Sequence, residues 1–185
     1  FEARVKKHQK KDDFVLHGWS PISGPSGRDV IKLEMNDLAS PSSAFLLWVM
    51  NPLQRVDVVK EGIPAAAVPS IAKRMEMPVE RAYKALGLPS STMARRVKTN
   101  DLLAPEQSER VLQMVRLVGL VEEIIQDSLP PEAAAKFDAA KWLGEWIERP
   151  QPSLGMRCPV EYLDTATGIE VVETLLKRIA VGAFA

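Results

Sequence analysis

Between residues 44 and 128, proline and glycine cut the chain into short pieces whose apolar residues recur at three- and four-residue steps. That punctuation constrains the fold more than any other feature. It favours helices joined by tight turns and leaves no convincing set of strands. Ser42 or Ser43 is placed to cap a short apolar helix running to Met50, ended by Asn51-Pro52. In "LQRVDVVKEGIP", Leu53, Val56 and Val59 fall at helical spacing before a stop at Gly62. Pro69 opens the next helix, with Ile71, Ala72 and Met75 inward. Pro78 opens another with Val79, Ala82, Tyr83 and Leu86 on one stripe, closed by Gly87. Ser90 or Ser91 is then positioned to cap a further helix.

The pattern continues downstream. A long helix from Pro105 to about Asp127 carries Val111, Met114, Val115, Val118 and Val121 inward. "SLPPEAAAKF" is the clearest internal boundary, followed by a helix over Asp138–Ile147 and a Pro- and Gly-rich loop, "ERPQPSLGMRCP". The last element, Val160 to Ala180, is helical in its later part, where Ile169, Val172, Leu175, Leu176 and Ile179 recur. The chain therefore reads as all-α, in three parts. Residues 1–43 are expected as a poorly ordered extension, with a basic arm that touches DNA as the alternative, 44–128 as a helical domain, and 129–185 as a smaller helical domain.

Size and composition agree. With 185 residues, 46% of them hydrophobic, the chain can bury a core, and 6% aromatic content suits helices better than a β-sandwich. A single cysteine, Cys158, excludes an internal disulfide framework and points to a reducing cytoplasm. The longest apolar run, Ala44 to Met50, is too short to span a bilayer. The opening Phe1 implies residues before it.

A formal net charge of +0 conceals an uneven distribution. From Ile71 to Lys98, seven cations face two acids; from Glu106 to Glu173, six cations face thirteen acids. One part of the chain suits a polyanion and the other does not. Within the basic part, three short helices with joints of about four residues, the last two meeting across Gly87, match a helix-turn-helix. If Met93, Ala94 and Val97 face inward, then Ser91, Thr92, Arg95, Arg96 and Lys98 project together, with Ser90 at the helix start. The first turn would offer free N–H groups to a phosphate, and the two arginines could reach guanine edges or phosphates. A solvated cationic face is the competing reading. Tyr83 stands where many such motifs carry a small residue, which would shift the packing to Ala82.

The C-terminal stretch "KWLGEWIERPQPSLGMRCPVEYLDTATGIEVVETLLKRIAVGAFA" resembles the toxin-binding module of Xre/MbcA/ParS-type antitoxins. The likeness rests on Trp142-Leu143, Pro150, Leu154-Gly155, Pro159, Leu163, Thr165, Gly168, Val172, Leu175-Leu176, Arg178-Ile179 and Gly182. Met156 stands where the family often has a second glycine. Upstream, Ser91-Thr92, Arg95-Arg96 and "LLAPEQSERVLQM" are similar to the Xre-like helix-turn-helix half of the same family, so the resemblance spans about residues 55–185. It implies an antitoxin that binds and neutralises a RES-domain toxin degrading NAD+. It also implies a homodimer that binds operator DNA and represses its own operon.

In that role the toxin contacts expected are Trp146, Arg149, Leu154, Lys177, Arg178, Val181, Gly182, Phe184 and Ala185. Trp142 and Trp146, four apart on one helix, form either an exposed anchor or part of the core, with Trp142 the better candidate for the core. The proline-restricted loop 149–159 is either a preorganised contact or a plain connection. The slender apolar tail after Lys177 and Arg178 either enters a cofactor pocket of the toxin or frays. No catalytic arrangement stands out and no cofactor is implied. His8 and His17 lack further ligands at metal spacing, Cys158 has no paired histidine, and Glu122, Glu123, Glu145 and Glu148 read as surface acids.

Overall fold

The computed structural model describes residues 44, 50–180 and 182. The extension 1–43, its two histidines and most of the helix expected up to Met50 lie outside the described residues, as do Val181, Phe184 and Ala185. Among the described residues the all-α expectation holds. Eight α-helices, two 3-10 turns and two isolated β-bridges lie within residues 50–180, with no strand among them.

Helix α1 (Pro52–Glu61) begins with a reciprocal cap. Asn51 Oδ1 accepts from Gln54 N at 3.0 Å, and Gln54 Oε1 accepts from Asn51 N at 3.3 Å. Its expected stripe is shifted: Val58 is the buried residue, whereas Leu53 is 78% and Val56 46% exposed. A helix that touches its neighbour along one narrow line buries only the residues on that line, and spacing alone does not say which.

Helix α2 (Ala67–Arg74) starts two residues ahead of the expected Pro69. Proline is tolerated there because N–H groups of the first turn have no intrahelical partner. Helices α3 (Val79–Ala85) and α4 (Ser90–Thr99) follow across Gly87, at φ +60°. Neither serine caps α4; Pro89 occupies the cap position in extended conformation and Ser90 is already the first helical residue. Asn100, at φ 53°, closes the helix in the left-handed region that asparagine tolerates.

Helix α5 (Pro105–Ser128) is the spine. Val111, Leu112, Met114, Val115, Leu117, Val118, Leu120 and Val121 are all buried along it, each such side chain favouring the fold by roughly 1.5–3 kcal/mol. On it pack α1, the short α6 (Pro131–Ala134), α7 (Ala139–Ile147) and α8 (Ala166–Ala180). Its buried Ser108 accepts from Ile63 N at 3.0 Å and donates to Leu103 O at 3.3 Å, so the loop after α1 keeps no unsatisfied polar group there. Glu122, expected at the surface, is buried on the same helix, with Arg74 Nη2 4.0 Å from Oε1.

The N-terminal and C-terminal units share one hydrophobic core, which runs from Val58 through α5 to Leu176. Gly144 of α7 lies so close to the end of α2 that a Cβ would sit 2.1 Å from the Met75 carbonyl oxygen. Only glycine permits that approach.

Candidate functional site

On α4 the phase is set by Met93, fully buried, and Val97, half-buried, four residues apart. Ala94 is exposed, contrary to the inward position expected for it. The outward face is therefore Ser91, Ala94, Arg95 and Lys98, with Ser90 also exposed at the start. Thr92 and Arg96 are half-buried at its margin rather than projecting with the others. Among the described residues Arg95 and Lys98 form no ion pair, so their charge is available to an anion. Arg96 is held sideways: Nη1 donates to Gln107 Oε1 on α5 at 2.8 Å.

The turn that leads into α4 is tightly built. Leu88 N donates to Tyr83 O at 2.8 Å, and Tyr83 and Ala82 are both buried, so the tyrosine is accommodated rather than expelled. Burial pushes the Tyr83 phenol above its ordinary pKa. At Gly87 a Cβ would lie 2.7 Å from Arg110 Nη1 and 3.4 Å from Asp164 Cβ. The helix-turn-helix is thus braced by the turn that precedes α8.

Not all the cations of the basic region face solvent. Arg81 Nε and Nη2 donate to Glu148 Oε1 and Oε2 at 2.6 and 2.7 Å, which also raises the Arg81 pKa. Lys73, Lys84, Arg95 and Lys98 are the exposed ones. This correction matters for the acids too, since Glu148 and Glu145 are partners of Arg81 and Arg149 rather than bare surface charges.

In the C-terminal unit, Asp138 caps α7 by accepting from Lys141 N at 3.0 Å. Trp142 and Trp146 stack, with centroids 5.9 Å apart and planes at 11°. Their exposure reverses the expectation: Trp146 is only 7% exposed, while Trp142 is half-buried. The loop after α7 folds into a tight hairpin, with Gln151 N donating to Arg157 O and Met156 N to Gln151 O, both at 3.0 Å. Met156 adopts φ +66° and is 65% exposed. Cys158 donates its thiol proton to Glu148 O at 3.2 Å and is half-buried.

Between the 3-10 turn Pro152–Leu154 and α8 lies an open cleft of about 330 Å³. Leu154, Val171 and Leu175 give it apolar walls, and Glu170, Thr174 and Arg178 polar ones. Leu154 and Arg178 are thereby brought together on one cleft. Trp146 and Arg149 do not line this cleft, and Lys177 is turned to Glu173. Gly182 is exposed just beyond α8. Glu170, Val171, Thr174 and Gln107 are residues here that spacing did not single out.

Fold and surfaces define the class: a helix-turn-helix protein whose recognition helix is joined through one core to a helical docking unit. Residues 54–116 match the antitoxin Xre-like helix-turn-helix domain, and residues 132–182 match the antitoxin Xre/MbcA/ParS C-terminal toxin-binding domain. The chain is 34% identical over 145 residues to the Prs ADP-ribosylating antitoxin of Sphingobium sp. (strain YBL2), covering 78% of this chain and 89% of that protein. It is 29% identical over 129 residues to antitoxin Xre of Yersinia enterocolitica serotype O:8 / biotype 1B (strain NCTC 13174 / 8081), covering 70% and 80% respectively. The chain belongs to the Xre/MbcA/ParS antitoxin family and is an antitoxin of a toxin–antitoxin system. None of its described helices is long and apolar enough to cross a membrane.

Proposed function

We propose that the chain neutralises a cognate RES-domain toxin that consumes NAD+, by binding it and covering its active site, and that as a homodimer it binds operator DNA and represses its own operon. One observation carries this reading. The exposed cationic face of α4, without ion pairs at Arg95 and Lys98 among the described residues, and the partly apolar cleft on α8 are separate surfaces of one body, suited to a polyanion and to a protein. The work is done by binding in the cytoplasm, where operator and NAD+ both occur, and the antitoxin performs no chemistry itself.

Ser90, Ser91, Arg95 and Lys98 are assigned to DNA, with Thr92 and Arg96 at the edge of the contact. Leu154 and Arg178 are assigned to the toxin through the cleft, and Arg149 and Lys177 to further contacts outside its lining. Trp146, stacked on Trp142 in α7, is assigned to the toxin apart from the cleft. The residues that follow α8, Val181, Gly182, Phe184 and Ala185, form a slender apolar segment suited to the pocket where the toxin holds NAD+. The Sphingobium relative is named for ADP-ribosylation. Transfer of ADP-ribose and hydrolysis of NAD+ both break the bond to nicotinamide, so one blocking device serves against either.

The test is coexpression with the product of the neighbouring gene, followed by copurification and an assay of NAD+ loss. The full chain is expected to copurify and suppress NAD+ loss, and deletion of residues 180–185 to release it. Unchanged inhibition by the truncated chain would remove the tail from the mechanism; failure to copurify would remove the toxin.

A further inference from the structure

We propose that Gln107 is a positioning residue that holds Arg96 for a contact with the DNA sugar–phosphate backbone, leaving Arg95 to read base edges. The inference rests on the DNA-binding reading of α4 and assigns different tasks to two adjacent arginines.

The two side chains share their chemistry and differ in exposure and partners. Arg95 is exposed, one turn from Ser91 and on the same face as Lys98. Its guanidinium is free to adapt to a groove. Arg96 is rotated about 100° around the helix from Arg95 and is half-buried at the margin. Its Nη1 is fixed on Gln107 Oε1 at 2.8 Å. A guanidinium held at the edge of the reading face lies where the duplex backbone, rather than the floor of the groove, would pass.

The chemistry of the clamp supports that role. Gln107 Oε1 also accepts from Ala104 N at 3.3 Å, in the cap at the start of α5, so the amide is oriented from two sides. An amide oxygen steadies the guanidinium without cancelling its charge, as a carboxylate would. Among the described residues Arg96 makes no ion pair, so its full positive charge and its remaining N–H donors stay available. Ordering a long side chain before the DNA arrives removes part of the cost of binding.

Binding of the full chain to the duplex immediately upstream of its own reading frame, and to an unrelated duplex of equal length, tests this across a salt series. Arg96→Ala is expected to weaken both duplexes alike, about tenfold, and to lower the salt slope by about 0.9. Gln107→Glu keeps both bonds but supplies a negative charge; it is expected to match that loss with an unchanged urea midpoint. Arg95→Ala is expected instead to erase the preference for the promoter duplex. If Arg95→Ala does so while Arg96→Ala and Gln107→Glu leave affinity and salt slope untouched, the positioning role is wrong and the repressor reading stands. A loss in Gln107→Glu that tracks a lowered urea midpoint also overturns it. If the unaltered chain binds neither duplex, the DNA-binding reading falls and this inference with it.

Discussion

Arg81 of α3 grips Glu148 at the end of α7 with two parallel bonds of 2.6 and 2.7 Å, joining helix-turn-helix and toxin-binding unit across 67 residues of sequence. The paired geometry matches the planar fork of arginine and is among the stronger kinds of ion pair. Both side chains are about one-third exposed, so water and salt screen the gain. Arg81→Ala is expected to lower stability by about 1 kcal/mol, and Arg81→Lys by nearly as much because the fork is lost. Urea denaturation at low and high salt checks this: the difference from the unaltered chain should shrink as salt is added.

A larger effect is expected at the second junction between the units. Any side chain at Gly144 would drive a carbon to 2.1 Å from the Met75 carbonyl oxygen, which is backbone and cannot rotate away. Gly144→Ala is expected to cost about 3 kcal/mol, as α7 is forced off α2. Because the two units share one core, operator binding and toxin binding should decline together as the melting temperature falls. Retention of one activity at full strength in a cooperatively destabilised variant would contradict the shared core.

The hairpin tip holds strain of the opposite kind. Met156 sits at φ +66° with its side chain 65% exposed, so packing contributes little to offset the steric cost of the left-handed conformation. Met156→Gly is expected to raise stability by about 1 kcal/mol, read as an increase in urea midpoint with the slope unchanged. Met156→Ala keeps the Cβ and should give no such gain.

These junctions also explain what the sequence could and could not reveal. The helices, their proline starts except that of α2, and the inward stripe of α5 were legible because they depend on residues within a few turns of one another. Helix phase on α1 and α4 was less so. Whether Val58 or Leu53 and Val56, and whether Ala94, face the core depends on the helix opposite. Trp142 and Trp146 could not be ranked by spacing, since both lie on one stripe and the neighbours of α7 decide which is covered. The Arg81–Glu148 and Arg96–Gln107 bonds leave no local pattern at all. For the candidate site, the cationic face of α4 was legible, whereas the cleft on α8 emerged only once the 3-10 turn was seen beside it.

The buried phenol of Tyr83 predicts a pH dependence. Its pKa is raised above the ordinary 10.0 chiefly by burial, with a smaller contribution from Glu80. Above that pH the unfolded chain loses the phenol proton while the folded chain retains it, so the folded state binds more protons and stability falls as pH rises. The loss begins near pH 10.0 and continues through the raised folded value. Tyr83→Phe has no proton to lose and should flatten this part of the profile. The Lys141 ammonium, raised by its bond to Glu76, acts in the same direction, so some alkaline loss should persist in the variant. Thermal melts from pH 8 to pH 11 measure the difference, and identical alkaline slopes would remove Tyr83 from the account.

Separation of the two activities is the sharpest expectation for the surface residues. Arg95 and Lys98 are exposed, form no ion pairs among the described residues and contribute nothing to the core. Their replacement by alanine should therefore change stability by less than about 0.5 kcal/mol. Removing both is expected to weaken operator binding by about a hundredfold, erasing the promoter preference through Arg95 and lowering the salt slope by about 0.9 through Lys98. Toxin neutralisation should stay at its original level, because the cleft around Leu154 and Arg178 is built from other elements. The double variant is best compared with Leu154→Asp, which should retain operator binding and lose the toxin. Loss of both activities in the Arg95/Lys98 variant at unchanged melting temperature would mean that DNA and toxin share one surface.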